Sequence, residues 1–381
     1  MLTGGGTGGH ITPLLAVARE LKQLNPACYI VYVGDRNGKF AHITDNQPDL
    51  DESYTVLAGK FRRYHRQSLI ARLADIRTNM LNIRDFFYFI GGTIQSLVMI
   101  KRVRPDLIFI KGGFVGVPVG LAAAFWRVPF VTHDSDIMPG LANRIVGRWA
   151  RLHATGMPAT FYNYSKAKTR HVGVRVNEVY KPVDSQLQRE YKADLNIAGH
   201  SKVLFITGGS LGSRQINKTV SDIAAGLLER FSDLTILHQV GKGNEGCYGD
   251  FSHERLRVLP FVSGMHKYSG AADVIVSRGG ANTLAEFGVQ GKACIVIPRS
   301  FLPGGHQVKN ALYLEEQGAI ISVADQTLAE DPKQLYKSIS SLLQDQPKRA
   351  ELAKKLQSIS IPDAATKVAK VLLEIGKKSQ K

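Results

Sequence analysis

Cysteine is scarce and scattered: Cys28, Cys247 and Cys294 are the only three in 381 residues. Their spacing matches no metal quartet and no disulfide framework, which points to a reducing cytosol. Long apolar runs are missing too. None reaches the roughly 18 residues of a membrane span, and the longest, Phe86 to Ile100, is broken by Gly91-Gly92 and Gln95. A bilayer-spanning helix is therefore not expected. Low-complexity segments, short repeats, a secretory leader, and RNA-recognition, KH or zinc-finger signatures are also absent, so nucleic acid is not the expected partner. Acidic residues are outnumbered, 32 against 49 Lys and Arg, giving a net charge of +17. Such a balance asks for an anionic substrate or surface.

Glycine is concentrated at the start. Gly4-Gly5-Gly6-Thr7-Gly8-Gly9-His10 places five glycines, a hydroxyl and an imidazole in seven positions. Residues without a β-carbon let a ligand approach the amides closely. The stretch Ile11 to Leu24 reads as a helix, with Pro13 in its first turn and Leu14, Val17, Leu21 and Leu24 on one face. A loop feeding a helix N-terminus favours an anion or a developing negative charge. His10 is the one side chain of the loop that exchanges a proton near pH 7. Only Met1 to Thr3 precede the loop, so either the first strand is clipped or the start lies upstream.

Short β-rich runs alternate with helical stretches: Tyr29–Val33, Leu107–Ile110 and Phe130–His133, then Val203–Thr207, Leu234–Gln239, Val274–Ser277, Ala293–Ile297 and Ile320–Val323. Alternation of this kind predicts βαβ units and parallel sheets. The opening strand–glycine–helix unit recurs at Val203–Thr207 followed by Gly208-Gly209-Ser210-Leu211-Gly212-Ser213. The expectation is α/β, with two tandem Rossmann-like domains facing a central cleft. The first spans 1–175 and is completed by a helix over 362–381; the second spans 176–361, behind a polar linker at 174–200.

Basic residues cluster in the first half. Lys60, Arg62, Arg63 and Arg66 run into Leu69, Ile70, Leu73 and Ile76, followed by Phe86 to Ile90 and then Lys101, Arg102 and Arg104. Two readings fit: a surface resting on anionic lipid, or ordinary core helices with solvated charged faces.

Further motifs follow strands. Gly112-Gly113 after Leu107–Ile110 is either a lining for an acceptor or a tight strand–helix turn. Arg278-Gly279-Gly280-Ala281-Asn282-Thr283-Leu284-Ala285-Glu286 turns sharply into a helix, with Asn282 or Thr283 as cap. Glu286 either reaches a ribose or serves as a capping-box partner. Gly4, Gly6 and Gly9 also satisfy the dinucleotide fingerprint, with Asp35 after the next strand, but one such match is weak. The second glycine loop, the Arg278 to Glu286 motif and the segment Gly305 to Ala311 weigh against a dehydrogenase.

Taken in order, GGTGGH with its proline, GGFVGVP, PGLANR, GGSLGS, HQVGKG, RGGANTLAE, HQVKNA and IPDAATKVA resemble the MurG family over essentially the whole chain. The resemblance implies a type B glycosyltransferase fold and transfer of N-acetylglucosamine from UDP-N-acetylglucosamine to lipid I, giving lipid II for peptidoglycan. It implies an undecaprenyl-diphosphate-linked acceptor at an anionic membrane, met peripherally on the cytoplasmic face. Donor contacts fall on Thr7, Gly8, Gly9, Ser210, Val262 near the uracil, Ala281 to Glu286, with Glu286 on the ribose, and Gln307. Gly5, Gly6, Gly112 and Gly113 would receive the acceptor diphosphate, and the surface over 60–104 would meet the bilayer.

Two positions depart from the pattern. The family's His-Glu-Gln-Asn reads His133-Asp134-Ser135-Asp136 here, so a donor-contacting asparagine becomes Asp136. Its Gly-Asn-Pro-Val-Arg reads Gly173-Val174-Arg175-Val176-Asn177, leaving Arg175 to stand in for the donor-binding arginine. Transfer with inversion needs a general base near working pH. His10 is the first choice; Asp134 and Asp136 are its rivals. Helix N-termini would meet the leaving-group charge, and no cofactor or obligatory metal is expected, the Asp134–Asp136 pair being the one weak alternative. Rival functions are another lipid-directed UDP-sugar transferase, such as glucose to diacylglycerol, and a non-enzymatic sugar-nucleotide or membrane-binding homologue.

Overall fold

Two parallel sheets organise the chain, and each gathers its own core. The structure is a computed structural model and describes residues 1–5, 8–36, 44, 47–62, 74–301 and 303–379. The chain divides into one unit of Met1–Arg175 with Asp363–Lys381, and a second of Val176–Pro362.

The first unit runs β1 (Leu2–Thr3), α1 (Gly8–Leu24), β2 (Val31–Asp35), β3 (Glu52–Val56), α2 (Ile76–Val103), β4 (Ile108–Ile110), α3 (Gly116–Phe125), β5 (Phe130–Asp134), α4 (Leu141–Val146), β6 (Leu152–Thr155) and β7 (Thr169–His171). Its strand order is β3-β2-β1-β4-β5-β6-β7, parallel throughout. The short β1 is central: Thr3 is in register with Val33 on one side and Ile110 on the other. Its hydroxyl donates to the Val33 carbonyl at 3.0 Å.

The second unit runs α5 (Ser185–Asp194), β8 (Lys202–Thr207), α6 (Arg214–Arg230), β9 (Leu234–Gln239), β10 (Leu256–Leu259), α7 (Met265–Ala271), β11 (Val274–Ser277), α8 (Ala281–Val289), β12 (Cys294–Val296), α9 (His306–Glu316), β13 (Ile321–Ser322), α10 (Asp325–Glu330), α11 (Pro332–Gln344) and α12 (Gln346–Ile359). Its order is β10-β9-β8-β11-β12-β13, again all parallel. Leu204, Phe205 and Ile206 are all fully buried, as a central strand covered by helices on both faces requires.

A last helix, α13 (Ala364–Ser379), returns to the first unit. Its Val368, Ala369, Leu372 and Ile375 share a core with Leu14, Val17 and Leu21 of α1. Each larger aliphatic buried there contributes about 1.5–3 kcal/mol. The Thr366 hydroxyl donates to the Glu20 carboxylate at 2.6 Å, and Arg170 pairs with Glu374 at 2.7 Å.

Several local expectations are corrected. The first helix begins at Gly8, not Ile11, which puts Pro13 inside it rather than in its first turn. The first long strand is Val31–Asp35, two residues beyond the expected Tyr29–Val33. The polar segment 174–200 is not all linker: Asp184 caps α5 by accepting from the Leu187 amide at 2.8 Å.

Candidate active site

In each sheet the strand order reverses beside the first strand, at β1/β4 and at β8/β11. Ligands of open parallel sheets bind outside the carboxyl ends of the strands at such a switch point. The glycine segments after β1, β4, β8 and β11 all fall there.

In the first unit the loops after β1 and β4 touch. Gly113 has φ 79°, and a β-carbon on it would lie 2.4 Å from the Gly5 carbonyl oxygen. No other residue fits that approach. Beneath the loops lies a buried polar floor. Lys111, 5% exposed, sets its ammonium 2.7 Å from Nδ1 of His133 and 2.6 Å from the Ser135 hydroxyl. His133 Nε2 faces the Gly173 carbonyl at 3.1 Å, so that nitrogen carries the hydrogen and Nδ1 accepts. Burial and the neighbouring ammonium hold the imidazole well below its usual range. Burial likewise brings Lys111 down to about 8, against the pull of the Asp134 and Asp136 carboxylates and with Arg175 adding to the push.

Asp134 ends β5, buried. One of its oxygens accepts from the Gly140 amide and from Asn143, each at 2.9 Å, and the other from the Tyr164 hydroxyl at 2.9 Å. Burial raises its pKa despite these donors. With both oxygens so engaged, the carboxylate holds the β5–α4 turn together. Asp136 is half-buried beside it, its carbonyl accepting from Tyr162 at 2.7 Å.

The second unit repeats the device. Gly212 (φ 71°) packs against β9's exit so closely that a β-carbon would lie 1.8 Å from the Val240 oxygen. Ser213 then caps α6. After β11, Arg278 runs inward: its guanidinium meets Asp325 at 2.6 Å, the Ile297 carbonyl at 3.1 Å and the Ser213 hydroxyl at 2.5 Å. One side chain thus braces both glycine loops. The cap of α8 is Gly280, extended and without a side-chain bond, which corrects Asn282 and Thr283: both lie inside the first turn. With no side chain at the cap, the first-turn amides stay open toward a ligand. Glu286 is not a capping-box partner either: it lies well past the Gly280 cap, and its carboxylate, after burial, is what pushes the Tyr180 phenol's ionisation up.

Two family descriptions match in succession: the glycosyltransferase family 28 N-terminal domain over residues 1–155 and its C-terminal domain over 203–368. A UDP-N-acetylglucosamine–N-acetylmuramyl-(pentapeptide) pyrophosphoryl-undecaprenol N-acetylglucosamine transferase of Natranaerobius thermophilus is 31% identical over 380 residues, 98% of both chains. Its namesake in Symbiobacterium thermophilum is 31% identical over 389 residues, covering 100% of this chain and 97% of its own. The chain belongs to the MurG family. It is a glycosyltransferase, and the crystal structure of Acinetobacter baumannii MurG shares its type B fold, with a TM-score of 0.74 at 24% identity over 98% of this chain and 99% of that one.

The residues that the MurG pattern marks lie at or after the carboxyl ends of strands, in two groups, one per unit. Gly5, Gly112, Gly113, Asp134, Asp136 and Arg175 belong to the first unit; Ser210, Val262, residues 281–286 and Gln307 belong to the second. Gly6 and Thr7 lie outside the described residues, as do the side chain of His10 and residues Arg63, Arg66, Leu69, Ile70 and Leu73. Ser210 is exposed on its loop. Val262, Ala281, Leu284 and Ala285 turn their side chains into the core, so only their main-chain groups remain for a ligand. Gln307 accepts from the Arg299 amide at 3.0 Å. Asn177, where the MurG arginine is expected, accepts from the Val179 amide at 3.2 Å and so closes its own turn.

Among the basic residues, Lys60 is exposed and Arg62 pairs with the buried Asp85 at 2.8 Å. Helix α2 buries Asp85, Gly92, Ser96 and Met99. Ile76, Met80, Ile83, Phe87, Ile90, Ile94 and Val98, recurring every three or four residues, are all exposed. These seven apolar residues are therefore not core, whereas Met99 and Ile100 near the end of the helix are. No helix among the described residues is long and apolar enough to cross a membrane.

Sequence reasoning passed over Lys111 and Tyr180, and quoted Arg278 only as the first residue of its glycine motif. The signal for Lys111 was present: a lone charge ending the apolar run Leu107–Ile110 directly before Gly112-Gly113.

Proposed function

We propose that this chain moves N-acetylglucosamine from UDP-N-acetylglucosamine to the 4-hydroxyl of the muramoyl sugar of lipid I, inverting the anomeric carbon. The observation that carries the reading is the pair of glycine-loop switch points, one per sheet, in a chain 31% identical over its full length to transferases so named. UDP binds the second unit, its diphosphate at the open amides of α8 and its ribose at Glu286. The helix N-terminus and loop amides take up the charge that develops on the leaving diphosphate. Gly5, Gly6, Gly112 and Gly113 receive the acceptor diphosphate.

His10, at the head of α1, removes the proton of the attacking hydroxyl. Asp136 is its remaining rival, because the oxygens of Asp134 are occupied by three donors. Metal is not required when amides and a helix end meet the diphosphate. The protein works peripherally on the cytoplasmic face, with the apolar stripe of α2 and its arginines against anionic lipid.

UDP release from UDP-N-acetylglucosamine, in detergent with and without a lipid I analogue, tests the reading. Release that depends on lipid I supports it. No release with UDP still bound would overturn it in favour of another lipid acceptor or of a binding protein, and would direct attention to Asp136 and Asn177.

A further inference from the structure

A buried ammonium costs several kcal/mol unless its charge is met nearby. The Lys111 ammonium is buried, and the two atoms it touches, His133 Nδ1 and Ser135 Oγ, are neutral. Its opposite charges stand one residue to either side of Ser135: the carboxylates of Asp134 and Asp136 both favour it, while Arg175 opposes it. Asp134 has three further donors of its own. Asp136 is the carboxylate at the position where the MurG pattern has a neutral asparagine.

We propose that Lys111 is the counter-ion of the Asp134-Ser135-Asp136 turn, fixing it through His133 and Ser135 and offsetting the charge that Asp136 brings to the site. Lys111 acts through the turn and is a positioning residue. It makes the acidic substitution compatible with a site that must accept a diphosphate. Lysine and the second aspartate are then one unit: neither is neutral without the other. The kinetic part of the inference rests on the transferase reading above; the charge coupling does not.

The test is a double-mutant cycle on the full chain with Lys111→Met, Asp136→Asn and both together, followed by urea denaturation and by lipid I-dependent UDP release. Lys111→Gln, which keeps a donor toward Ser135 but not the charge, replaces Lys111→Met if that variant does not fold. The charge-removing variant should lower kcat about tenfold or more with little change in KM for the acceptor, as for a misplaced catalytic turn. Adding Asp136→Asn should recover most of that loss and part of the lost urea midpoint. A double variant no better than the Lys111 variant in either measurement overturns the proposal. Wild-type protein that binds UDP but releases none would sink the transferase reading instead, and the urea cycle alone then decides: non-additivity supports the counter-ion, additivity overturns it.

Discussion

Arg278 and Asp325 form a buried ion pair at 2.6 Å, with side chains 13% and 3% exposed. It joins the exit of β11 to the start of α10, while the same guanidinium reaches the Ser213 cap of α6. Removing one partner strands the other charge. Asp325→Ala is expected to cost about 3–5 kcal/mol, read as a lower urea midpoint. UDP affinity should fall in parallel, because both glycine loops lose their brace. Asp325→Asn, which keeps an acceptor, should cost less; equal losses would mean that the charge carries the pair and the remaining acceptor contributes nothing.

Three buried imidazoles make stability fall in acid. Burial holds His153 at about 4 and His238 at about 3, and His133 is also pushed well down. In the unfolded chain they titrate near 6.5. Between these limits only the unfolded state binds their protons, so stability is complete above pH 7 and is lost as pH falls from about 6.5 toward 4. Each contributes a slope of about 1.4 kcal/mol per pH unit there. His238, which accepts from the Tyr248 hydroxyl at 2.7 Å when its Nδ1 is bare, offers the check. His238→Gln should flatten the pH dependence of the urea midpoint between pH 4.5 and 6, and an unchanged slope would refute the assignment.

The sequence was legible where burial is uniform. Strand β8 is apolar on both faces and stands out as a continuous run, and the glycine turns after it are signalled by composition. Edge strands β3 and β10 were missed because they alternate or carry charge: Ser53 and Thr55 point outward in one, and Arg257 interrupts the other. Helix α2 admitted two readings, since an apolar stripe does not say what covers it. The role of Lys111 was illegible because His133 and Ser135 meet it, and Gly173 meets His133, only once β4, β5 and the segment after β7 are side by side.

That uncovered stripe carries a prediction. Burying an aromatic or branched aliphatic side chain contributes about 1.5–3 kcal/mol, so Ile83→Glu with Phe87→Glu should weaken co-sedimentation with phosphatidylglycerol-rich vesicles at least tenfold. Both side chains are exposed, at 59% and 65%, so folding should be unaffected. Raised salt should weaken wild-type binding as well, through screening of Arg77 and its neighbours. Sedimentation equal to wild type would leave the stripe without a lipid.

His10→Ala should abolish lipid I-dependent UDP release while UDP binding survives, on the proposal that the second unit holds the nucleotide. The loss expected for a missing general base is about 10²–10⁴ in kcat. Turnover within a factor of a few of wild type would move the base to Asp136.

Glu286 and Tyr180 separate contact from support on the donor side. Burial and the adjacent carboxylate push the Tyr180 ionisation far up, so the phenol stays a donor at any working pH. The same carboxylate is the group that the proposed reading gives to the ribose hydroxyls. The Tyr180 ring also meets His266 edge-on, with centroids 6.0 Å apart, which holds the ring in place. Glu286→Gln removes the charged acceptor and should weaken UDP binding by about 1.5–3 kcal/mol, measured by titration calorimetry. Tyr180→Phe leaves the carboxylate but not its orientation, and should cost less than Glu286→Gln. Combined with Glu286→Gln it should add little, since the phenol acts only through that carboxylate. Additive losses would instead give Tyr180 its own contact with the nucleotide.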